Sequence, residues 1–241
     1  MSYSALAYLY DEINGEAYKP YAEMLCECFA LADIPVREVL DLGCGTGGIT
    51  ALLAQKGYDM IGLDISPEML NIARERNEGF NTLLLCQDMR EFELYGTVQA
   101  IYSSFDCLNY IEKSKDLEQV FVLVHNYLET GGLFIFDVNT EYRYKNVYGN
   151  NSFIYEFEDA FLTWRNYYDE KTQTCQFELN IFTENEFGSY DREYEQQFQK
   201  LHTHEEILNA AKGFELVKLS GGKGFDGCEE AEKEYYVFKK L

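Results

Sequence analysis

Short apolar runs alternate with helically spaced stretches through the first half of this chain, and the rhythm changes after about Asn139. The segment from Tyr3 to Leu31 reads as helical, with an aromatic character from Tyr8, Tyr10, Tyr18 and Tyr21. Asn14-Gly15 predicts a break inside it, and Pro35 an end to it. Strands are then predicted at Glu38 to Leu42, Asp59 to Asp64, Thr82 to Gln87, Val98 to Ser103 and Leu133 to Val138. The helices between them begin with Ile49 to Lys56, closed by Gly57. The next, to about Arg76, opens on Ser66-Pro67, a capping residue followed by proline in the first helical position. A third helix has Ser114 as its predicted cap, Leu117, Val120, Phe121, Val124 and Leu128 at helical spacing, and Gly131-Gly132 as its stop.

Beyond Asn139 the runs Phe153 to Glu158, Phe161 to Asp169, Thr174 to Thr183 and Tyr190 to Leu201 are rich in aromatic and β-branched residues and lack helical spacing. They predict antiparallel strands joined by turns at Asp169-Glu170-Lys171 and Phe187-Gly188-Ser189. A helix returns after Thr203, with Glu206 at capping-box spacing and Gly213 as its stop; Phe214 to Ser220 and Tyr235 to Lys239 supply two last strands. Strands alternating with single helices imply parallel βαβ units with right-handed crossovers. The expected fold is therefore α/β, a doubly wound, Rossmann-like sheet with a β-rich antiparallel insertion in its C-terminal half. The expected division is a main domain of residues 1–139 and 202–241, residues 1–34 forming a helical cover, with the insertion, residues 140–201, as a substrate-side lid.

Composition narrows the function. A length of 241 residues suits one large α/β domain with an insertion. No run approaches the ~18 apolar residues of a membrane span, and Met1 to Leu9 has neither the basic start nor the apolar run of a secretory leader. A cytoplasmic protein without a membrane partner is the expectation. Twenty basic residues against 42 acidic ones give −22, with a pI near 4.4. Such a surface repels phosphate backbones, which argues against nucleic acid, serves solubility, and would attract a cationic or amine substrate. Cys26, Cys28, Cys44, Cys86, Cys107, Cys175 and Cys228 include no CxxC pair and read as free thiols.

The main candidate for chemistry is Val39-Leu40-Asp41-Leu42-Gly43-Cys44-Gly45-Thr46-Gly47-Gly48, at a strand-to-helix junction. Gly43, Gly45 and Gly48 also satisfy the dinucleotide pattern G-x-G-x-x-G, so the glycines alone leave an NAD-dependent oxidoreductase open. Asp41 argues against it: a carboxylate there is a poor neighbour for a pyrophosphate and a good one for the ammonium group of a methionyl moiety. Asp64 closes the second strand, where an acid can accept from both ribose hydroxyls. Asp88 and Met89 follow the third strand, a pair suited to an adenine amino group and ring face.

In Val39 to Gly47, Gly62 to Ser66, Gln87-Asp88-Met89 and Ser103 to Tyr110, the stretch from Val36 to Val138 resembles the class I S-adenosylmethionine (SAM)-dependent methyltransferases. It looks most like their small-molecule branch, some of whose members methylate amino groups of nucleotide-linked sugars. The resemblance implies a seven-stranded sheet with a reversed last strand and SAM as cofactor. It assigns Tyr10, Tyr18, Asp41, Gly43, Cys44, Gly45, Asp64, Ile65, Asp88, Met89 and Ser104 to cofactor binding, with the two tyrosines as a cover.

Methyl transfer is an in-line displacement that needs alignment more than a dedicated acid or base. Ser104-Phe105-Asp106-Cys107-Leu108-Asn109-Tyr110 follows the fourth strand and lacks the Asn/Asp-Pro-Pro-Tyr run of many enzymes acting on planar amides and bases. Candidate catalytic or substrate-contacting residues are Asn109, Tyr110, His202 and His204; no metal site is expected. The resulting expectation is a methyltransferase for a small-molecule nucleophile, an amine first, working as a monomer or homodimer. The alternatives are a SAM-binding protein without transfer activity or with a regulatory role, and the oxidoreductase.

Overall fold

The computed structural model describes residues 4–221 and 230–241, so Tyr3 and Cys228 lie outside the described residues. Helix α1 (Ser4–Phe29) precedes five strands, β1 (Glu38–Leu42), β2 (Asp59–Asp64), β3 (Thr82–Cys86), β4 (Val98–Ser103) and β5 (Leu128–Asn139). Helices α2 (Gly48–Gln55), α3 (Pro67–Arg76) and α4 (Ser114–Tyr127) connect them. A helical turn, Arg143–Tyr148, leads into β6 (Ser152–Glu156), β7 (Ala160–Asp169), β8 (Thr174–Glu184) and β9 (Tyr190–Lys200). Helix α5 (His204–Ala210), β10 (Phe214–Ser220) and β11 (Lys233–Lys240) complete the chain.

The main sheet runs β10-β11-β5-β4-β1-β2-β3. β1 to β5 are parallel, and β11 enters antiparallel between β5 and β10. Successive residues of β1 serve opposite faces, as the strand period requires. Leu40 and Leu42 pack with Phe134, Phe136 and Phe238 under α4 and α5; Val39 packs with Tyr102, Ile135 and Val237 under α1 and α2. The order reverses between β1 and β4, and in such sheets ligands bind beyond the carboxyl ends of the strands at that point. The second sheet, β6-β7-β8-β9, is antiparallel throughout. One face carries Leu162, Leu179 and Ile181, which close on Leu6 and Leu9 of α1.

Three local expectations are corrected. Asn14-Gly15 does not break α1: Asn14 Nδ2 donates to the Tyr10 carbonyl at 3.1 Å. Burial of Leu9, Tyr18, Tyr21, Ala22 and Leu25 outweighs the ~1 kcal/mol that a helical glycine costs. Ser114 does not cap α4; it is the first helical residue, and its hydroxyl bonds to Glu206 at 3.0 Å. Gly131-Gly132 does not stop that helix, which ends at Tyr127 because Leu128 already pairs with Val98 in the sheet. The Thr203–Glu206 capping box is present.

Candidate active site

A cavity of about 950 Å³ lies over the carboxyl ends of β1, β2, β3 and β4. A hollow of about 20 Å³ adjoins it, the two sharing Tyr10, Gly43, Gly45, Ser104 and Phe105. Ile65, Asp64, Asp88 and Met89 line the large cavity; Tyr18, Asp41 and Cys44 line the hollow. Each of the eleven residues assigned to the cofactor from the sequence thus lines one or both of two adjoining spaces.

Glycine is required where the loop turns. Gly43 has φ +88°, and a Cβ there would lie 2.3 Å from Cys107 Sγ. Next to it, Asp41 is 1% exposed. Its Oδ2 accepts from Thr50 at 2.5 Å and Tyr102 at 2.6 Å, while Oδ1 is buried with no partner. Burial pushes this carboxyl up to about 7, against the lowering effect of the two hydroxyls and helped by nearby Asp64. Asp64 accepts the Gly45 N–H on Oδ2 and the Ser66 N–H on Oδ1, each at 2.8 Å; burial raises its pKa too. Asp88 is gripped by the Arg90 guanidinium, which holds its carboxyl below the usual range.

Helix α1 is tied to the glycine loop through Asp11. Its carboxylate accepts from Thr46 Oγ1 at 2.6 Å and Tyr18 OH at 2.7 Å and pairs with Arg76 of α3. Arg76 also donates to the Thr46 carbonyl at 3.1 Å. The Tyr18 ring fills the space beside Gly48, where a Cβ would meet it at 2.4 Å.

The loop after β4 is strained and heavily braced. Phe105 and Asp106 both have positive φ, 54° and 52°, a conformation that costs a non-glycine residue of order 1 kcal/mol or more. The Asp106 N–H donates to Asp137 Oδ2 at 2.9 Å. Lys233 spans both acids, at 2.8 Å from Asp106 Oδ1 and 2.6 Å from Asp137 Oδ2. Tyr21 donates to the other Asp137 oxygen at 2.6 Å, and Gln199 to the other Asp106 oxygen at 2.6 Å. Lys233 reaches this position because it pairs with Asn139 at the end of β5, two residues past Asp137.

The four candidate catalytic residues separate. Tyr110 lines the cavity and donates to Gln197 of β9 at 2.9 Å. Asn109 is buried below it, Oδ1 accepting from the Asn139 N–H at 3.0 Å and Nδ2 donating to the Lys200 carbonyl at 2.7 Å. His202 is buried, with Nε2 3.1 Å from the Leu108 carbonyl, and His204 Nδ1 lies 3.0 Å from Tyr236 OH. Neither histidine lines the cavity. Among the aromatic residues of the second sheet, Phe153, Tyr155 and Trp164 face the cavity. Phe157 packs on Tyr155, Phe161 on Phe182 and Tyr168 on Tyr144, while Tyr167 is exposed. Sequence reasoning missed Tyr21, Arg143, Tyr148, Gln197, Lys233 and Tyr235, which also line it. Among the described residues no group of three or more His, Cys, Asp or Glu could hold a metal ion, and no helix is long and apolar enough to cross a membrane.

The family model for the methyltransferase domain matches residues 39–132, which contain the glycine loop and the strands β1 to β4 whose carboxyl ends lie under the cavity. Over nearly full length the chain is 30% identical to the "putative methyltransferase YqeM" of Bacillus subtilis (strain 168), covering 99% of this chain and 96% of that protein. The chain belongs to the class I SAM-dependent methyltransferases. A crystal structure of a SAM-dependent methyltransferase from Clostridium acetobutylicum ATCC 824 superposes on this one with a TM-score of 0.86 at 28% identity, over 99% of this chain and 98% of the other. The methyltransferase is also 27% identical, over 51% of each chain, to a dTDP-3-amino-3,4,6-trideoxy-alpha-D-glucopyranose N,N-dimethyltransferase of Streptomyces venezuelae. The methyl donor is therefore SAM, and the seven-stranded sheet with its reversed final strand is the family's architecture.

Proposed function

We propose that this methyltransferase methylates a small-molecule amine, bound between the loop after β4 and the inner face of the second sheet. One observation carries the reading: a single cavity runs from Gly43, Gly45, Asp64 and Asp88 to Phe153, Tyr155 and Trp164, so donor and acceptor share one space. When bound, SAM supplies an electrophilic methyl group on a sulfonium.

The chain's own residues fit that cofactor. Asp41 Oδ1, buried and unpartnered, is an acceptor for the methionyl ammonium. Asp64 spends one N–H contact on each oxygen and keeps lone pairs for the ribose hydroxyls. Asp88 and Met89 flank the adenine, with Arg90 holding the carboxylate in place. Gly43 lets the backbone approach because any side chain there would collide with Cys107. Tyr10 and Tyr18 cover the methionyl end from α1.

On the acceptor side, Tyr110 and the aromatic wall orient the nucleophile and exclude water, which is most of what an in-line transfer asks of a protein. Aromatic faces also favour a cationic or amine group, by ~0.5–2 kcal/mol each. The aminosugar dimethyltransferase among the relatives supports an amine acceptor. The residues 140–201 then act as the substrate-side lid, with the second sheet as its rigid part.

The test is a panel of small amines, phenols and carboxylates offered with SAM, with S-adenosylhomocysteine and methylated product measured by mass spectrometry. Amines should be the best acceptors. Phenols or carboxylates methylated faster than every amine would sink the amine reading, and no transfer to any class would favour a SAM-binding protein without activity.

A further inference from the structure

We propose that the acceptor end of the cavity holds an anion subsite built on Arg143, so that the methylated molecule carries a carboxylate or phosphate besides its amine. The inference rests on the proposed use of that end for the acceptor.

Arg143 stands at the start of the helical turn after β5 and lines the cavity. Its guanidinium lies over the Tyr148 ring, 4.9 Å from the centroid, and the side chain is only 22% exposed. One nitrogen meets Glu232 at 3.0 Å, a carboxylate that is itself half exposed; Nε is buried with no partner. The Tyr148 hydroxyl and the field of Asp106 also favour the charge, yet a guanidinium withdrawn from water still gains from an acceptor for the donor left without one. Asp106 acts on Arg143 only through its field, because Asp106 and Asp137 are bridged by Lys233 and their remaining oxygens are taken by Gln199 and Tyr21. A planar fork with open donors suits an oxyanion.

The surroundings fit the same ligand. Trp164 lies beside Tyr148, ring centroids 6.0 Å apart, and its indole Nε1 is also buried without a partner. With 42 acidic residues against 20 basic, the protein repels a simple anion at long range. A zwitterion that pairs an amine with an oxyanion escapes that repulsion and still meets Arg143 on arrival.

Trp164 is the only tryptophan of the chain, so its fluorescence reports this end of the cavity directly. The full-length protein, saturated with S-adenosylhomocysteine, is titrated with benzoate, phenyl phosphate and the neutral benzamide. At least one anion should bind roughly tenfold tighter than benzamide, the size of a charge-assisted hydrogen bond. Whether benzoate or phenyl phosphate leads identifies the oxyanion. Arg143→Gln should erase the preference, and Glu232→Gln should enlarge it by removing the competing carboxylate. Benzamide binding as well as both anions overturns the subsite, as does a preference that survives Arg143→Gln. Should that variant fail to fold, no gain in Glu232→Gln overturns it equally. Methylation is scored separately: anions bound like benzamide while amines are methylated defeat the subsite alone. Anion preference with transfer confined to phenols defeats the amine reading and leaves the subsite standing.

Discussion

Asp41 differs from an ordinary strand-end aspartate in having one oxygen saturated and the other empty, both inside the protein. Its carboxyl sits at about 7, burial being the main cause, against ~3.9 for the unfolded chain. The folded protein therefore holds more protons than the unfolded one between pH of about 4 and 7, and unliganded stability falls as pH rises through that window. A ligand ammonium needs the ionised carboxylate, so affinity for S-adenosylhomocysteine should rise with pH up to about 7 and then level. Calorimetric titrations of the native protein and Asp41→Asn check this. The variant should bind more weakly and lose the slope, whereas equal slopes would remove Asp41 from the ammonium site. Beyond the neighbouring strand β4, burial is handled differently: the acids at 106 and 137 share Lys233, whose charge helps to hold the Asp106 carboxyl below its usual range, and the contacts brace two residues of positive φ.

At the level of elements, α1 is held to the glycine loop by Asp11, Thr46 and Arg76, and on the proposed reading those links keep it over the cofactor. Arg76→Met removes the ion pair with Asp11 and the bond to the Thr46 carbonyl. A part-exposed pair of this kind is worth about 1 kcal/mol, so S-adenosylhomocysteine should dissociate roughly fivefold faster in stopped flow; an unchanged rate would show that α1 does not retain the cofactor. The central strands were legible as short continuous apolar runs buried on both faces, and those of the second sheet, β8 above all, by an alternation that survives as burial on one face. Of the residues assigned to the cofactor, those from Asp41 to Ser104 could be picked out because they lie within a few positions of a strand end, whereas Tyr10 and Tyr18 of α1 came from the family resemblance alone. The integrity of α1 was not legible, since what overrides Asn14-Gly15 is packing against residues far along the chain. Nor were Arg143 and Lys233, which follow no motif: one belongs to a turn after β5 and the other to the reversed last strand, and only the sheet order brings them to the same cavity.

Taken whole, the molecule is an acidic body around a site of mixed charge. Arg90, Lys113, Arg143 and Lys233 line the cavity beside Asp64, Asp88, Asp106, Glu112 and Asp116, whereas the net charge is −22. Polyanions should therefore be excluded before they reach it. Fluorescence anisotropy with duplex DNA and structured RNA at ~150 mM salt should show no binding; saturation in the micromolar range, where basic proteins associate non-specifically, would count against a small-molecule acceptor. The closure of Leu6 and Leu9 on Leu162, Leu179 and Ile181 also has a consequence for synthesis. The helix leaves the ribosome well before the strands that cover its apolar side, β7 and β8. At ~5–20 residues per second the helix waits on the order of ten seconds with that side bare. Until then the nascent protein has its glycine loop but no wall from the second sheet, so the cavity takes shape only when segments far apart in the sequence meet.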